Sequence, residues 1–301
     1  MDEKSDIRAA WLLGLAGFAL LSLGDSVVKS IAGMWPGTAA AALRFALGAI
    51  GLGALLWWHE GRTGFAAPRI GLQVARGAAL ALASLMFFLA VYAMPLAEAT
   101  AIQFASPMLT ALLSAWLLHE RVAARTWGAI VAAFAGVLIV LRPNIAILGP
   151  AALLPLGAAT GMAALVLLNR RSATDVSPLA AQFFVAAGAA PFLLLAAVAG
   201  HVSGAPALAI GWPDIGVIVR CALVVVTAST AHWLLYRATL HASAAAIAPT
   251  VYIQIIVATL IGIVWFGDWP DAVAMGGTAL IIAAGLRLWH GGRAGGQEGR
   301  S

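Results

Sequence analysis

The chain has 301 residues, of which 62% are hydrophobic and only 10% are charged, whereas an ordinary soluble domain carries about 25% charged residues. A soluble core of this size cannot hide so much apolar surface, so the composition predicts a protein whose solvent is lipid. The net charge of +5 does not indicate nucleic-acid binding, because the arginines are scattered among connecting segments rather than clustered in one patch.

The chain begins with residues 1–8, which carry acidic side chains and precede an apolar run without a small-residue cleavage site. This segment is predicted to be a short soluble tail rather than a removable signal peptide. A membrane span needs about 20 mostly apolar residues, and ten candidate spans follow the tail. They lie at about 9–31, 37–58, 72–92, 96–118, 126–141, 150–168, 177–199, 214–236, 244–266 and 272–289. Residues 290–301 form a second predicted tail.

The basic residues test this count of spans. If the connectors alternate between the two sides, 13 of the 17 Lys and Arg residues fall on the side of the termini and only Arg142 falls on the other. The 13 include Arg76 and Arg287, which stand near the ends of the third and tenth spans on that side. The remaining three, Lys29, Arg44 and Arg220, lie within spans. Cytoplasmic loops are enriched in Lys and Arg, so this bias predicts that both termini are cytoplasmic.

The chain also contains an internal repeat. Residues 107–138 resemble residues 255–286 at a constant offset of 148, which places Glu120 on Asp268 and Gly128 on Gly276. Each half, 9–143 and 144–289, therefore holds five spans. Because five is odd, the second copy must cross the membrane in the opposite direction. The predicted fold is an all-α membrane protein whose ten transmembrane helices form two inverted five-helix repeats, as in carriers that work by alternating access.

The segment AMPLAEATAIQFASPMLTALLSAWLLHERV at 93–122, followed by GVLIVLRP at 136–143, resembles the drug/metabolite transporter superfamily, EamA type. The second repeat departs from that pattern, because Asp268 stands where the family has Glu and Ile255 where it has Pro. The resemblance implies a secondary carrier of small polar metabolites, such as amino acids and their derivatives, S-adenosylmethionine, opine-type metallophores or riboflavin. It implies no cofactor and no metal.

Charged residues inside spans are costly and need a reason. Asp25 and Lys29 stand four residues apart on one face of the first span, and Arg44 lies about two turns into the second. All three are predicted at similar depth in the outer leaflet. They form either a structural ion cluster or a set of gating or coupling charges.

A polar stripe runs along the fourth span. Its members recur at intervals of three and four residues, so they share one helix face and are predicted to line a water-filled cavity. Pro107 would free a backbone carbonyl there, or alternatively produce a kink that only shapes packing. The stripe consists of Thr100, Gln103, Pro107 and Thr110.

The eighth and ninth spans supply further candidates for a substrate cavity. Aromatic rings with polar edges can stack on a planar ligand and also form hydrogen bonds to it, although Trp and Tyr near span ends often anchor the helix at the interface. His232 can equally be a packing histidine. The candidates are His232, Trp233 and Tyr236 in the eighth span and Tyr252 and Gln254 in the ninth.

Small residues form a ridge on the fifth span, at Gly128, Ala132 and Gly136, and Gly277 and Gly285 echo it on the tenth. Such ridges let helices approach closely in lipid. They serve folding or dimerisation, so both a monomer and a homodimer remain open.

The sequence predicts a secondary active transporter of the inner membrane that moves a small-molecule substrate, with proton coupling as one possibility. It contains no phosphate-binding loop and no metalloprotease or serine-hydrolase motif, which argues against an integral membrane enzyme, the main competing hypothesis. A channel and a purely structural membrane subunit are two further hypotheses. Import and export are not distinguished.

Overall fold

A computed structural model of the chain describes residues 3–66, 69–118, 124–172, 176–242 and 244–298. These residues are helical apart from short connectors. Short 3-10 turns cover Gly61–Phe65, Gly149–Leu153, Pro206–Leu208 and Ala248–Tyr252, and a π turn covers Gly262–Phe266. The α-helices are α1 (Glu3–Lys29), α2 (Gly37–Glu60), α3 (Ile70–Ala93), α4 (Leu96–Gln103), α5 (Ser106–Leu118), α6 (Ala124–Leu148), α7 (Leu154–Ser172), α8 (Pro178–Val202), α9 (Ile215–His241), α10 (Ala244–Ile247), α11 (Ile253–Ile261) and α12 (Ala272–Glu298).

The lengths of the apolar segments fit a membrane protein. Eight helical segments of the described residues are long and apolar enough to cross a bilayer, and two shorter apolar helices lie at Trp127–Arg142 and Ala272–Arg287. These ten segments coincide with the ten predicted spans. The prediction of an all-α membrane protein is confirmed.

The helices extend further than the predicted spans at both ends of the chain. Helix α1 begins at Glu3 and α12 continues to Glu298, so most of each predicted tail is helical. The difference arises because backbone hydrogen bonding continues beyond the apolar part of a helix, which the apolar pattern alone does not register. Glu120 and Arg121 lie outside the described residues.

The helices group into two compact units. Unit 1 contains residues 1–26, 94–152 and 226–301, and unit 2 contains residues 27–93 and 153–225. Each unit therefore takes segments from both predicted repeats. This is the expected result when inverted repeats intertwine instead of forming separate domains.

In unit 1, α6 and α12 cross at two glycines. A Cβ atom on Gly136 would lie 2.8 Å from the carbonyl oxygen of Gly277, and a Cβ on Gly277 would lie 2.8 Å from the carbonyl oxygen of Gly136. Neither position can carry a side chain without moving the partner helix. The ridge on the fifth span thus serves intramolecular packing at Gly136, whereas a Cβ on Gly128 would meet no atom of the described residues within 4 Å.

Residues of α6 at its crossing with α12 are related to residues of α12 by the 148-residue offset of the internal repeat. A Cβ on Gly136 would also lie 2.8 Å from Cγ1 of Ile281. Applying the 148-residue offset to that pair gives Ala284 and Ala133, and both belong to one buried apolar cluster with Met108. The residues related by the offset to this contact therefore lie in one buried cluster of unit 1, as expected when α6 and α12 hold equivalent positions in the two repeats.

In unit 2, α3 packs against both α7 and α8 through small residues. A Cβ on Gly77 of α3 would overlap the backbone of Gly188 in α8. On α7, a Cβ on Gly161 would lie 2.6 Å from the backbone nitrogen of Ala83. Such approaches let backbones pack closely where lipid supplies no hydrophobic drive between helices.

A buried polar network ties α3 to α7 near the N-terminal end of α3. Arg76 is only 5% exposed. Its Nε donates to Oδ1 of Asn169 at 2.7 Å, and its Nη1 donates to Oε1 of Gln73 at 2.5 Å. A buried guanidinium is tolerated when its donors are hydrogen-bonded, and this network supplies the acceptors from two helices.

Candidate substrate site

The fourth span is discontinuous. Helix α4 ends at Gln103 and α5 begins at Ser106, so residues 104 and 105 form a turn within the membrane segment. Pro107 is the second residue of α5, a position where the missing N–H costs little. In an unbroken helix that N–H would donate to the carbonyl of Gln103, so the proline favours an interruption here.

The ninth span is irregular at the corresponding place. The chain runs from α10 through the 3-10 turn Ala248–Tyr252, with Pro249 in its first turn, into α11, and then through the π turn Gly262–Phe266. Broken helices in equivalent positions of two inverted repeats are the usual location of carrier binding sites. Both interruptions belong to unit 1.

The two interruptions meet through an aromatic pair. The ring centroids of Phe104 and Tyr252 are 5.9 Å apart, with their planes inclined at 49°, within the range of a favourable aromatic contact. The offset of 148 places Phe104 on Tyr252. A contact between residues that hold equivalent positions in the two predicted repeats is what an inverted repeat with a pseudo-two-fold axis leads one to expect.

The hydroxyl end of Tyr252 lies against α12. A Cβ on Gly285 would overlap the Tyr252 hydroxyl oxygen and would lie 3.0 Å from Cζ of the same ring. The absence of a side chain at Gly285 therefore creates the space that the phenol occupies. We call Phe104, Tyr252 and Gly285 the aromatic junction.

Thr100 lies one helical turn before Phe104 and thus on the same side of α4. Its side chain is 3% exposed. Its Oγ1 has no hydrogen-bond partner among the described residues. A buried hydroxyl without a partner is unusual and costs free energy, so this oxygen has a hydrogen-bonding capacity that the described residues do not use.

The other members of the predicted stripe differ in environment. Gln103 is half-buried and Pro107 is exposed. Thr110 is buried, and its hydroxyl donates to the carbonyl oxygen of Ser106 at 2.8 Å. In the ninth span Gln254 is half-buried, and its backbone carbonyl oxygen accepts from the hydroxyl of Ser22 in α1 at 3.1 Å. The assignment of these residues to a cavity stays a prediction.

The candidates in the eighth span are exposed. Trp233 is 53% and Tyr236 is 41% exposed. His232 is also exposed, and its Nδ1 lies 2.7 Å from the carbonyl oxygen of Ala228. The guanidinium of Arg237 lies 5.5 Å from the Trp233 ring centroid, an arrangement suited to the membrane interface. Their role in binding substrate stays a prediction.

The three residues of the predicted charge set lie on α1 and α2. Asp25 and Lys29 are half-buried in the last turns of α1. Arg44 is half-buried in α2, with its guanidinium 4.4 Å from the ring centroid of Phe45 and 5.9 Å from that of Phe88. A joint gating or coupling role for the three charges stays a prediction.

Sequence patterns do not identify two residues of the aromatic junction as site residues. Phe104 is an apolar residue in an apolar run, so neither polarity nor periodicity distinguishes it. Gly285 stands out only as a small packing residue. The repeat holds the signal that could find them, because the offset of 148 pairs the aromatic residue at 104 with the one at 252.

Comparison with known proteins supports a transporter. The model of the EamA-like transporter family matches residues 8–142. Two proteins named S-adenosylmethionine uptake transporter, from Rickettsia prowazekii and Rickettsia bellii, are each 24% identical to this chain over 94% of its length and over 94% and 95% of their own. A third of the same name, from Rickettsia felis, is 24% identical. A protein of known crystal structure shares the fold, with a TM-score of 0.60 at 20% identity, covering 93% of this chain and 96% of its own.

The broken spans, the internal repeat and these relatives lead to one assignment. The relatives are named as transporters. The chain is a multi-pass membrane transporter, and its residues 8–142 match the EamA-like transporter family.

Proposed function

We propose that this transporter takes up S-adenosylmethionine across a bacterial inner membrane by alternating access. The observation that carries the proposal is the coverage of the relatives. The proteins named S-adenosylmethionine uptake transporter match 94% of this chain, so the likeness includes both broken spans and not only a common family segment.

The chemistry of the aromatic junction is compatible with this substrate. S-adenosylmethionine combines a planar purine, a sulfonium cation and an amino-acid group. Aromatic rings such as Phe104 and Tyr252 can stack on a purine or attract a cation. The C-terminal end of α4 lies beside Phe104, and helix C-termini carry partial negative charge that favours a cation.

Uptake into proteoliposomes tests the proposal. We expect saturable accumulation of labelled S-adenosylmethionine, competed by excess unlabelled substrate and absent from empty liposomes. S-adenosylhomocysteine is the matched competitor, because it keeps the purine and the amino-acid group but lacks the sulfonium charge. No uptake of S-adenosylmethionine, combined with uptake of another metabolite, would contradict the proposed substrate.

We further propose that the proton-motive force drives uptake and that both termini are cytoplasmic. The bias of Lys and Arg toward one side supports the orientation. An imposed inward proton gradient should raise the initial rate, and an uncoupler should return it to the rate measured without a gradient. A rate that is the same under all three conditions would exclude proton coupling and leave the substrate proposal intact.

A further inference from the structure

The position of the Tyr252 ring is fixed from two sides. At its hydroxyl end, the phenol fills the space that a Cβ on Gly285 would occupy. On another side, its ring contacts Phe104 with a centroid separation of 5.9 Å. A ring held by two different helices loses little conformational freedom when a ligand binds, so it offers a preorganised apolar face.

Thr100 adds a polar group to this arrangement. Its Oγ1 is buried without a partner among the residues described, and it lies one turn from Phe104 on the same side of α4. A hydroxyl can both donate and accept a hydrogen bond. An aromatic face with a hydroxyl nearby matches a nitrogen heterocycle, which offers a π surface together with ring nitrogens and amino groups. An aliphatic chain would use the face but would leave the hydroxyl unsatisfied.

We propose that Tyr252 is the specificity-determining residue for the heteroaromatic ring of the substrate, with Thr100 as its polar complement and Gly285 as the positioning residue. The inference rests on the proposed function for the identity of that ring, which is the purine of an adenosyl group. It adds which part of the substrate lies at the aromatic junction and which residues select it.

Binding of adenosine, S-adenosylmethionine and methionine to the purified full-length protein tests this inference, together with uptake of S-adenosylmethionine. Tyr252→Leu should weaken adenosine and S-adenosylmethionine binding about tenfold, the factor that corresponds to a stacking interaction of about 1.4 kcal/mol. Tyr252→Phe keeps the ring and should change both by less than about threefold. Methionine lacks the ring, so its affinity should be the same in both variants.

Gly285→Ala tests the positioning role, and Gly276→Ala is its matched control on the same helix. A Cβ on Gly276 would meet nothing within 4 Å in the part of the chain that the structure describes, whereas a Cβ on Gly285 would displace the Tyr252 hydroxyl. We expect a loss of about tenfold in adenosine affinity for Gly285→Ala and no change for Gly276→Ala. Adding Tyr252→Phe to Gly285→Ala removes the overlapping oxygen and should restore part of the lost affinity.

Each outcome decides between the two proposals. If the wild-type protein takes up S-adenosylmethionine and Tyr252→Leu leaves adenosine affinity unchanged, the inference is wrong and the proposed function stands. If the wild-type protein binds adenosine with the expected variant pattern but takes up no S-adenosylmethionine, the proposed function is wrong and the inference stands. Equal losses for methionine and adenosine in Tyr252→Leu would show that the residue is only structural and would overturn the inference.

Discussion

The crossing of α3 and α8 in unit 2 makes Gly77 the most sensitive glycine to test. A Cβ on Gly77 would lie 2.6 Å from both Cα and the carbonyl oxygen of Gly188. Ordinary van der Waals contact begins at 3.4 Å, and the carbonyl carbon of Gly188 would be nearer still, so the helices must separate by more than about 0.8 Å, the difference between 3.4 and 2.6 Å. Because the neighbour is backbone and not the end of a flexible side chain, no rotamer change can relieve the overlap.

Overpacking of this kind costs about 1–3 kcal/mol, while replacing a helical glycine by alanine contributes up to about 1 kcal/mol in the opposite direction. Because the overlap at Gly77 is with backbone, we take the upper part of the overpacking range, about 2–3 kcal/mol. Subtracting about 1 kcal/mol for the better helix former, we expect Gly77→Ala to lower the free energy of unfolding by about 1–2 kcal/mol. Titration of the purified protein with sodium dodecyl sulfate in mixed micelles, followed by circular dichroism, measures this change.

Substitutions at two other glycines serve as controls for the Gly77→Ala measurement. Gly188→Ala should be milder, because its Cβ would lie 3.2 Å from the carbonyl oxygen of Gln73 and 3.3 Å from Cα of Gly77. The new Cβ of Gly71→Ala on α3 would meet no described atom within 4 Å, so this variant should be neutral or slightly stabilising. If Gly77→Ala and Gly71→Ala have the same stability, the close approach of α3 and α8 is refuted.

Three further predictions use different measurements. Reporter fusions at the two termini should both show a cytoplasmic location, and a periplasmic signal from either would contradict the ten-span orientation. In a cysteine-free background, a cysteine at Gln103 should react with a water-soluble thiol reagent, and S-adenosylmethionine should protect it. A cysteine at Ile256, which is 55% exposed on an apolar helix, should react slowly. Equal reaction rates at the two positions would argue against a cavity. Asn169→Leu removes an acceptor from the buried guanidinium of Arg76 and should lower the free energy of unfolding by about 1.5–3 kcal/mol. Asn169→Asp keeps the acceptor and should be milder. Identical unfolding curves for Asn169→Leu and the wild-type protein would show that this hydrogen bond contributes little.

The spans could be predicted from sequence because a bilayer imposes one requirement on every transmembrane segment. Each must be apolar over about 20 residues and must satisfy its backbone internally. That requirement is local, so the apolar runs located all ten helical segments. The break in the fourth span was also accessible, because Pro107 removes a specific hydrogen bond, although the turn itself lies at residues 104 and 105.

The aromatic junction could not be predicted in the same way. Its formation depends on Tyr252 meeting Phe104 from another helix and on an empty volume at Gly285, and none of these is a property of one segment. Polarity directs attention instead to Trp233, which is exposed. In a membrane protein an aromatic residue near a span end satisfies the same pattern whether it binds a ligand or anchors the helix, so the pattern cannot separate the two roles.

Unit 1 can be completed only late in synthesis, because it includes the last helix of the chain. Its two closest-packed helices are α6 and α12, which meet at Gly136 and Gly277, so α6 enters the bilayer long before its partner is synthesised. Until then its small-residue face must contact lipid or the insertion machinery. Unit 2, which is built from residues 27–93 and 153–225, has all its helices earlier. A premature stop before α12 would leave most apolar spans in place but would remove the surface that closes unit 1, so such changes should reduce the amount of carrier that survives membrane proteolysis rather than alter its choice of substrate.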